Sequence, residues 1–153
     1  MDDVKRILVV SRDTRYCKKA VHYGMFLAQC YGAELFVIHV VHNPFSIQGW
    51  NLPIPSLAEE YRKVLQETKE KLTEIIRQER EKGVRVTQLV KEGEPTREIL
   101  QTVREEHIDL MILLAHEEGR LEHFLFGRSN DEIFRAMPCT ILMVKKEPEP
   151  VNF

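Results

Sequence analysis

The sequence predicts one α/β domain, a doubly wound, Rossmann-like five-stranded parallel sheet with helices on both faces. Short, nearly unbroken apolar runs such as 109–115 and 139–145 have strand length and suit a sheet covered on both sides. These runs alternate with longer segments whose apolar residues recur at three- and four-residue steps, giving the order βαβαβαβαβ. Length sets the scale: 153 residues, 43% of them apolar, make one domain with a real core and are too few for two ordinary ones. Right-handed crossovers then give a layered sandwich.

Strand one is Lys5 to Ser11. A loop at Arg12-Asp13-Thr14 leads to a helix from about Arg15 to Tyr31, with Ala20, Val21, Gly24, Met25, Leu27 and Ala28 on its inner face. Gly32 stands where a left-handed C-cap belongs. Strand two is Glu34 to His42. Residues 43–55 hold three prolines, a glycine and the single tryptophan, so they form a long connection. Phe45, Ile47, Trp50, Leu52 and Ile54 make it too apolar for a solvated loop, and it is a candidate surface for a protein partner. Ser56-Leu57-Ala58-Glu59 is a capping box that opens a long helix, closed by Lys82 and Gly83.

Val84 to Val90 alternates apolar and polar residues, as an edge strand exposed on one side would. Glu92-Gly93-Glu94-Pro95 turns the chain into a helix from Thr96 to Glu106, with Pro95 at a first helical position. The fourth strand is Asp109 to Ala115. After the loop at 116–127, Ser129 reads as the N-cap of helix four and Glu132 as its capping-box partner. Pro138 stops that helix before the fifth strand, Cys139 to Lys145. Residues 1–146 are expected to form the domain and 147–153, with prolines among glutamates, a mobile tail.

Several function classes recede on these grounds. A net charge of −2 gives no general attraction to nucleic acid or anionic membrane. No apolar stretch is long enough for a membrane span and the acidic start is unlike a signal peptide, so the expected location is cytoplasmic. Three cysteines with no C-x-x-C pair read as reduced core thiols, Cys17 near the start of the first helix and Cys139 at the head of a strand. There is no G-x-S-x-G elbow, P-loop or G-x-G-x-x-G, and no residue is a convincing general base, so an ordinary enzyme is not expected. His39, His42 and His116 fall at carboxyl ends of strands, yet none has the spacing of a metal pair, and no metal is assigned. A ligand is expected at the carboxyl edge around the 116–129 loop, where a helix N-terminus attracts an anion.

The residues also carry a resemblance. Lys5 to Ser11, Gly32-Ala33-Glu34-Leu35 before Ile38-His39-Val40, Gly93-Glu94-Pro95, Asp109-Leu110-Met111-Ile112, Gly127, and Met137 to Val144 resemble a universal stress protein domain over essentially the whole length. The resemblance implies strand order 3-2-1-4-5, homodimers paired through the last strand, and in some members bound ATP. It makes Arg12, Asp13, Val40, Gly119, Arg120, Gly127, Arg128 and Ser129 the nucleotide-site candidates. Ile141, Leu142, Met143 and Val144 are the dimer candidates, and as a bare apolar edge they invite pairing on physical grounds as well.

The ATP-binding branch has a signature of Gly, two residues, Gly, nine residues, then Gly with Ser or Thr. Here Ala115 stands at the first glycine, three residues separate it from Gly119, and seven lie between Gly119 and Gly127. Arg128 intervenes before Ser129, and Arg12 stands where that branch places an aspartate beside adenine. The expected function is therefore a stress-response binding or signalling module, a dimeric adaptor without tight ATP binding. A nucleotide sensor closing its 116–129 loop on phosphates is the alternative.

Overall fold

Residues 3–12, 14, 16–42, 55–115 and 128–145 are described by a computed structural model, with 55, 56 and 128 at the backbone only. The elements are β1 (Arg6–Ser11), α1 (Lys18–Tyr31), β2 (Glu34–Val41), α2 (Pro55–Gln78), β3 (Val86–Glu92), α3 (Pro95–Glu105), β4 (Leu110–Leu114), α4 (Arg128–Ala136) and β5 (Thr140–Val144). All strand pairs are parallel, and the sheet order is β3-β2-β1-β4-β5. The predicted class and strand order are thus observed. The 43–54 segment and the 147–153 tail lie outside the described residues.

Strand alternation builds two cores. Ile7, Val9, Leu35, Val37 and Ile112 meet α1 and α2 on one face through Val21, Met25, Leu72 and Ile75. Leu8, Val10, Phe36, Ile38, Met111 and Leu113 meet α3 and α4 on the other through Ile99, Val103 and Ile133. The central strands are apolar on both faces for this reason, and β1 is buried from Ile7 through Ser11.

Several boundaries differ from the sequence expectation. Helix α1 starts at Lys18, and Cys17 is its N-cap residue, its thiol donating to the Thr14 carbonyl at 3.5 Å. Gly32 is the left-handed C-cap expected, at φ 64°. Helix α2 ends at Gln78, so Gly83, although at φ 79°, shapes the turn before β3 and caps no helix. Its last buried residues, Ile75 and Ile76, lie within that span, and none of residues 79–82 is buried. Strand β3 is at the edge, as expected, and its residues from Val86 to Lys91 are all half-buried rather than cleanly alternating.

At the amino end of the sheet, Asp109 ties two neighbouring strands together. Its Oδ2 accepts from the backbone N–H groups of Lys5 and Arg6, both at 2.9 Å. The Arg6 guanidinium returns a bond to the Glu106 carbonyl at 2.9 Å.

At the carboxyl end the strands separate. The β1–β2 register runs to Ser11 opposite His39, whereas the β1–β4 register stops at Val9 opposite Ile112. Between the ends of β1 and β4, where the chain's connections switch from one face to the other, the sheet opens a crevice.

Candidate functional site

The crevice is crossed by side chains. Arg12, the first residue beyond β1, reaches α4: its Nη2 donates to Ser129 Oγ at 2.8 Å and to Asn130 Oδ1 at 3.4 Å. The Asn130 amide donates to the carbonyl of Leu114, at the end of β4, at 3.1 Å. The Ser129 hydroxyl lies 2.8 Å from that of Thr96, in the first turn of α3. Arg12 and Asn130 therefore bridge the gap left between β1 and β4, and the Ser129–Thr96 bond joins the starts of two helices. Thr96, Ser129 and Asn130 are all buried.

This arrangement corrects the reading of Ser129 as an N-cap. Helix α4 begins at Arg128, so Ser129 lies inside it, and its hydroxyl serves Arg12 and Thr96 instead. The capping function expected of it is seen at α3, where Glu94 caps. Its two carboxylate oxygens accept from Thr96 N at 3.0 Å and Arg97 N at 2.8 Å, with Pro95 at the first helical position as predicted.

Electrostatics sharpen the picture. Burial pushes the Arg12 guanidinium down from its ordinary range to about 10, with the Glu94 carboxylate pulling the other way. It remains a cation at neutral pH. Its Nε and Nη1 are buried and have no hydrogen-bond partner among the described residues. The charge stands beside the N-terminus of α4, an end whose peptide dipoles favour anions and disfavour cations.

Of the residues expected at a nucleotide site, the structure brings Arg12 and Ser129 into direct contact. Val40, near the end of β2, packs against the core beneath α3 and α4. The backbone of Arg128 opens α4. Asp13, Gly119, Arg120 and Gly127 lie outside the described residues. Thr96, Asn130 and Glu94 were missed as members of the cluster. Glu94-Pro95 is a legible helix start, but the pairing of Thr96 with Ser129 spans 33 residues of sequence and leaves no local pattern.

The opposite face of the same edge is closed. Ser11 Oγ lies 3.1 Å from His39 Nδ1, a hydroxyl–imidazole pair with the composition of an activated nucleophile. Ser11 is only 1% exposed, and it shares the strand face of Ile7 and Val9 against α1 and α2. The pair satisfies buried polar atoms. Among the described residues no group of three His, Cys, Asp or Glu side chains is placed to hold a metal. Burial, with Asp109 adding to it, pushes the Cys139 thiol up to about 11 against a backbone hydrogen bond from Met111, so it is unreactive at neutral pH. Among the described residues no helix is long and apolar enough to cross a membrane.

At the far edge of the sheet, β5 pairs on one side only, with β4. Of its four dimer candidates, Val144 is buried in the core, Ile141 and Leu142 are partly buried against the two cores, and Met143 is 38% exposed. Val144 is thus a core residue first, because the pleat turns it toward α1.

Comparison with known proteins agrees with this architecture. A universal stress protein MJ0531 from Methanocaldococcus jannaschii is 26% identical over 147 residues, covering 93% of this chain and 82% of its own length. The structure of universal stress protein UspA from Lactobacillus plantarum superposes with a TM-score of 0.74 at 19% identity, over 94% of this chain and 99% of that one. A universal stress protein solved in complex with cAMP superposes with a TM-score of 0.61 at 15% identity, over 95% of this chain and all of that one. The model of the universal stress protein family matches residues 3–145, the whole sheet with its four helices, and on that match this chain belongs to the universal stress protein family.

Proposed function

We propose that the protein is a stress-response binding and signalling module, a homodimeric adaptor paired through β5, whose crevice does not take ATP tightly in the manner of the family's ATP-binding branch. The observation that carries this reading is the Arg12–Ser129–Thr96 chain of hydrogen bonds. The Ser129 hydroxyl at the head of α4, one place later than the Ser or Thr of that branch, here accepts from Arg12 and is bonded to Thr96. A triphosphate using that hydroxyl would have to break hydrogen bonds already made within the protein. The cation at Arg12 also replaces the carboxylate that would sit beside adenine.

The direct test examines purified protein. After denaturation the released material is assayed for nucleotide, and the emptied, refolded protein is titrated calorimetrically with ATP and magnesium. Absence of carried nucleotide and dissociation constants no tighter than about millimolar are expected; micromolar affinity, worth about 4 kcal/mol more, would sink the reading. Dimerisation is checked by sedimentation. Met143→Asp puts a charge on the exposed apolar residue of β5 and is expected to shift the protein toward monomer. The same distribution in both proteins would remove β5 as the pairing edge.

A second reading, a nucleotide sensor, is favoured by the charge of Arg12, two of whose donors have no partner among the described residues. The likeness to a universal stress protein solved with cAMP supports it as well. Carried nucleotide in the same assay would select it.

A further inference from the structure

The two edges of the sheet differ in chemistry. Strand β5 has five residues, four of them apolar, whereas β3 has seven and carries Thr87, Gln88 and Lys91 among its aliphatic side chains. Among the described residues β3 pairs on one side only, with β2. Leu35 lies opposite Val86 and donates its N–H to the Arg85 carbonyl. Counting in alternate steps from Arg85, residues 87, 89 and 91 therefore turn their backbone groups toward β2, and Val86, Gln88 and Val90 turn theirs away from the sheet. An outward row of N–H and C=O groups is a template for one more strand.

The side chains of those same three residues lie on the α2 face. Val86 and Val90 pack against the core beneath α1 and α2. The Gln88 amide donates to the Lys69 carbonyl at 3.1 Å, and its oxygen accepts from Thr73 Oγ1 at 3.0 Å. Beside them a cavity of about 420 Å³ opens between α2 and β3, lined by Thr73, Ile76, Arg77, Arg80, Val86 and Gln88. Ile76 is buried, and the two arginines are exposed. No carboxylate is among these six residues. Glu74, outside the lining, accepts from Arg77 Nε at 2.9 Å and Nη2 at 2.7 Å, and also from Gln78. Among the described residues no side chain bonds the Arg80 guanidinium. The groove is thus aliphatic and positively charged.

These features select an occupant. A docked helix would leave the outward backbone row unpaired, and an extended segment satisfies it. Every second side chain of such a segment falls on the α2 face, at a spacing of about 7 Å. Ile76 and Val86 suit an aliphatic side chain, and the arginines suit carboxylates on either side of it.

We propose that the β3 edge takes an extended acidic peptide of a protein partner as a sixth strand. An aliphatic side chain of that peptide rests on Ile76 and Val86, and an acidic one two residues away meets Arg80 and Arg77. The proposal uses neither the β1/β4 crevice nor β5, so it goes beyond the function proposed above and fails separately from it.

The experiment is an NMR titration of the isotope-labelled full chain at low salt with two end-capped peptides. One is Thr-Glu-Thr-Val-Thr-Glu-Thr, and the other has lysine in place of both glutamates. The acidic peptide is expected to bind with Kd below about 1 mM and to shift the amide signals of Val86, Gln88 and Val90. The lysine peptide should bind about 3- to 10-fold more weakly, and Arg80→Glu should exchange that order. Arg80 is exposed and its side chain has no partner among the described residues, so this variant keeps the fold. The acidic peptide is also made with every second backbone nitrogen methylated, in both phases. One phase should bind as the parent does and the other should not bind, because a strand pairs along one edge. Four results would overturn the proposal: no binding of the acidic peptide at about 1 mM, shifts at β5 instead of β3, equal affinity for wild type and Arg80→Glu, or methylated phases that behave alike. Nucleotide carried by the purified protein would defeat the adaptor reading and leave this surface untouched.

Discussion

Gly24 faces the sheet from α1, and placing one methyl group there tests the packing between that helix and the central strands. An ideal Cβ at this position lies 2.4 Å from Val9 Cγ2, 3.1 Å from Leu35 Cδ1 and 3.6 Å from Ile112 Cδ1. Relief to an ordinary carbon–carbon contact requires a shift of about 1 Å or more. Val9 cannot give way by rotation at little cost, since it is β-branched, fully buried and on the central strand. Helix propensity works the other way, because alanine is better than glycine inside a helix by about 1 kcal/mol. Overpacking of a tight core costs about 1–3 kcal/mol. A contact as short as 2.4 Å belongs in the upper half of that range, about 2–3 kcal/mol, so the balance for Gly24→Ala is a loss of about 1–2 kcal/mol, which in a domain of this size lowers Tm by roughly 2–8 °C. Urea denaturation gives the free energy, and the double variant Val9→Ala with Gly24→Ala identifies the mechanism. Removing the Val9 methyls makes room for the new one, so the pair should cost about 1 kcal/mol less than the two single losses combined. A Gly24→Ala protein as stable as the wild type, or strictly additive costs, would refute the steric argument.

Other expectations follow from the hydrogen bonds and thiols. Asp109→Ala removes the acceptor shared by Lys5 and Arg6 at the amino ends of β1 and β4, and should cost about 1–2 kcal/mol in urea titrations, held down by the exposure of these bonds. Thr96→Val and Ser129→Ala each break the bond between α3 and α4, and their double-mutant cycle should show a coupling of about 1 kcal/mol. Ser129→Ala should be the costlier single change, because it also strips an acceptor from the Arg12 cation. Iodoacetamide at pH 7.5, read by peptide mass spectrometry, should label exposed Cys30 first and leave buried Cys17 untouched. Because burial raises the Cys139 thiol to about 11, its labelling should stay low at neutral pH and climb as pH rises toward that value.

Most of the scaffold could be read from the sequence because its signals are local and repeated. The apolar runs of β1, β2 and β4 mark strands covered on both sides, while that of β5 belongs to an edge strand only partly covered, and Gly32 and Pro95 mark a helix end and a helix start by their own backbone preferences. The errors fall where two local rules compete. Gly83 looks like a C-cap, but α2 ends five residues earlier, once its buried face runs out. Ser129 and Glu132 have capping-box spacing, yet the helix already includes Ser129, because tertiary partners claim its hydroxyl.

The sequence by itself determined the class, since periodicity and turn chemistry act over a few residues, and the strand order through its family resemblance. It also singled out Arg12 and Ser129 as candidates. Only the tertiary structure decided what those residues do. The β1–β4 ladder ends at Val9 while β1–β2 continues to Ser11, and that difference opens the crevice. Contacts across 117 residues between Arg12 and Ser129, and 33 between Thr96 and Ser129, then join a loop arginine and an expected capping serine in one partly buried cluster. Hydrogen bonds and desolvation are set by distance in space, and no spacing along the chain encodes them.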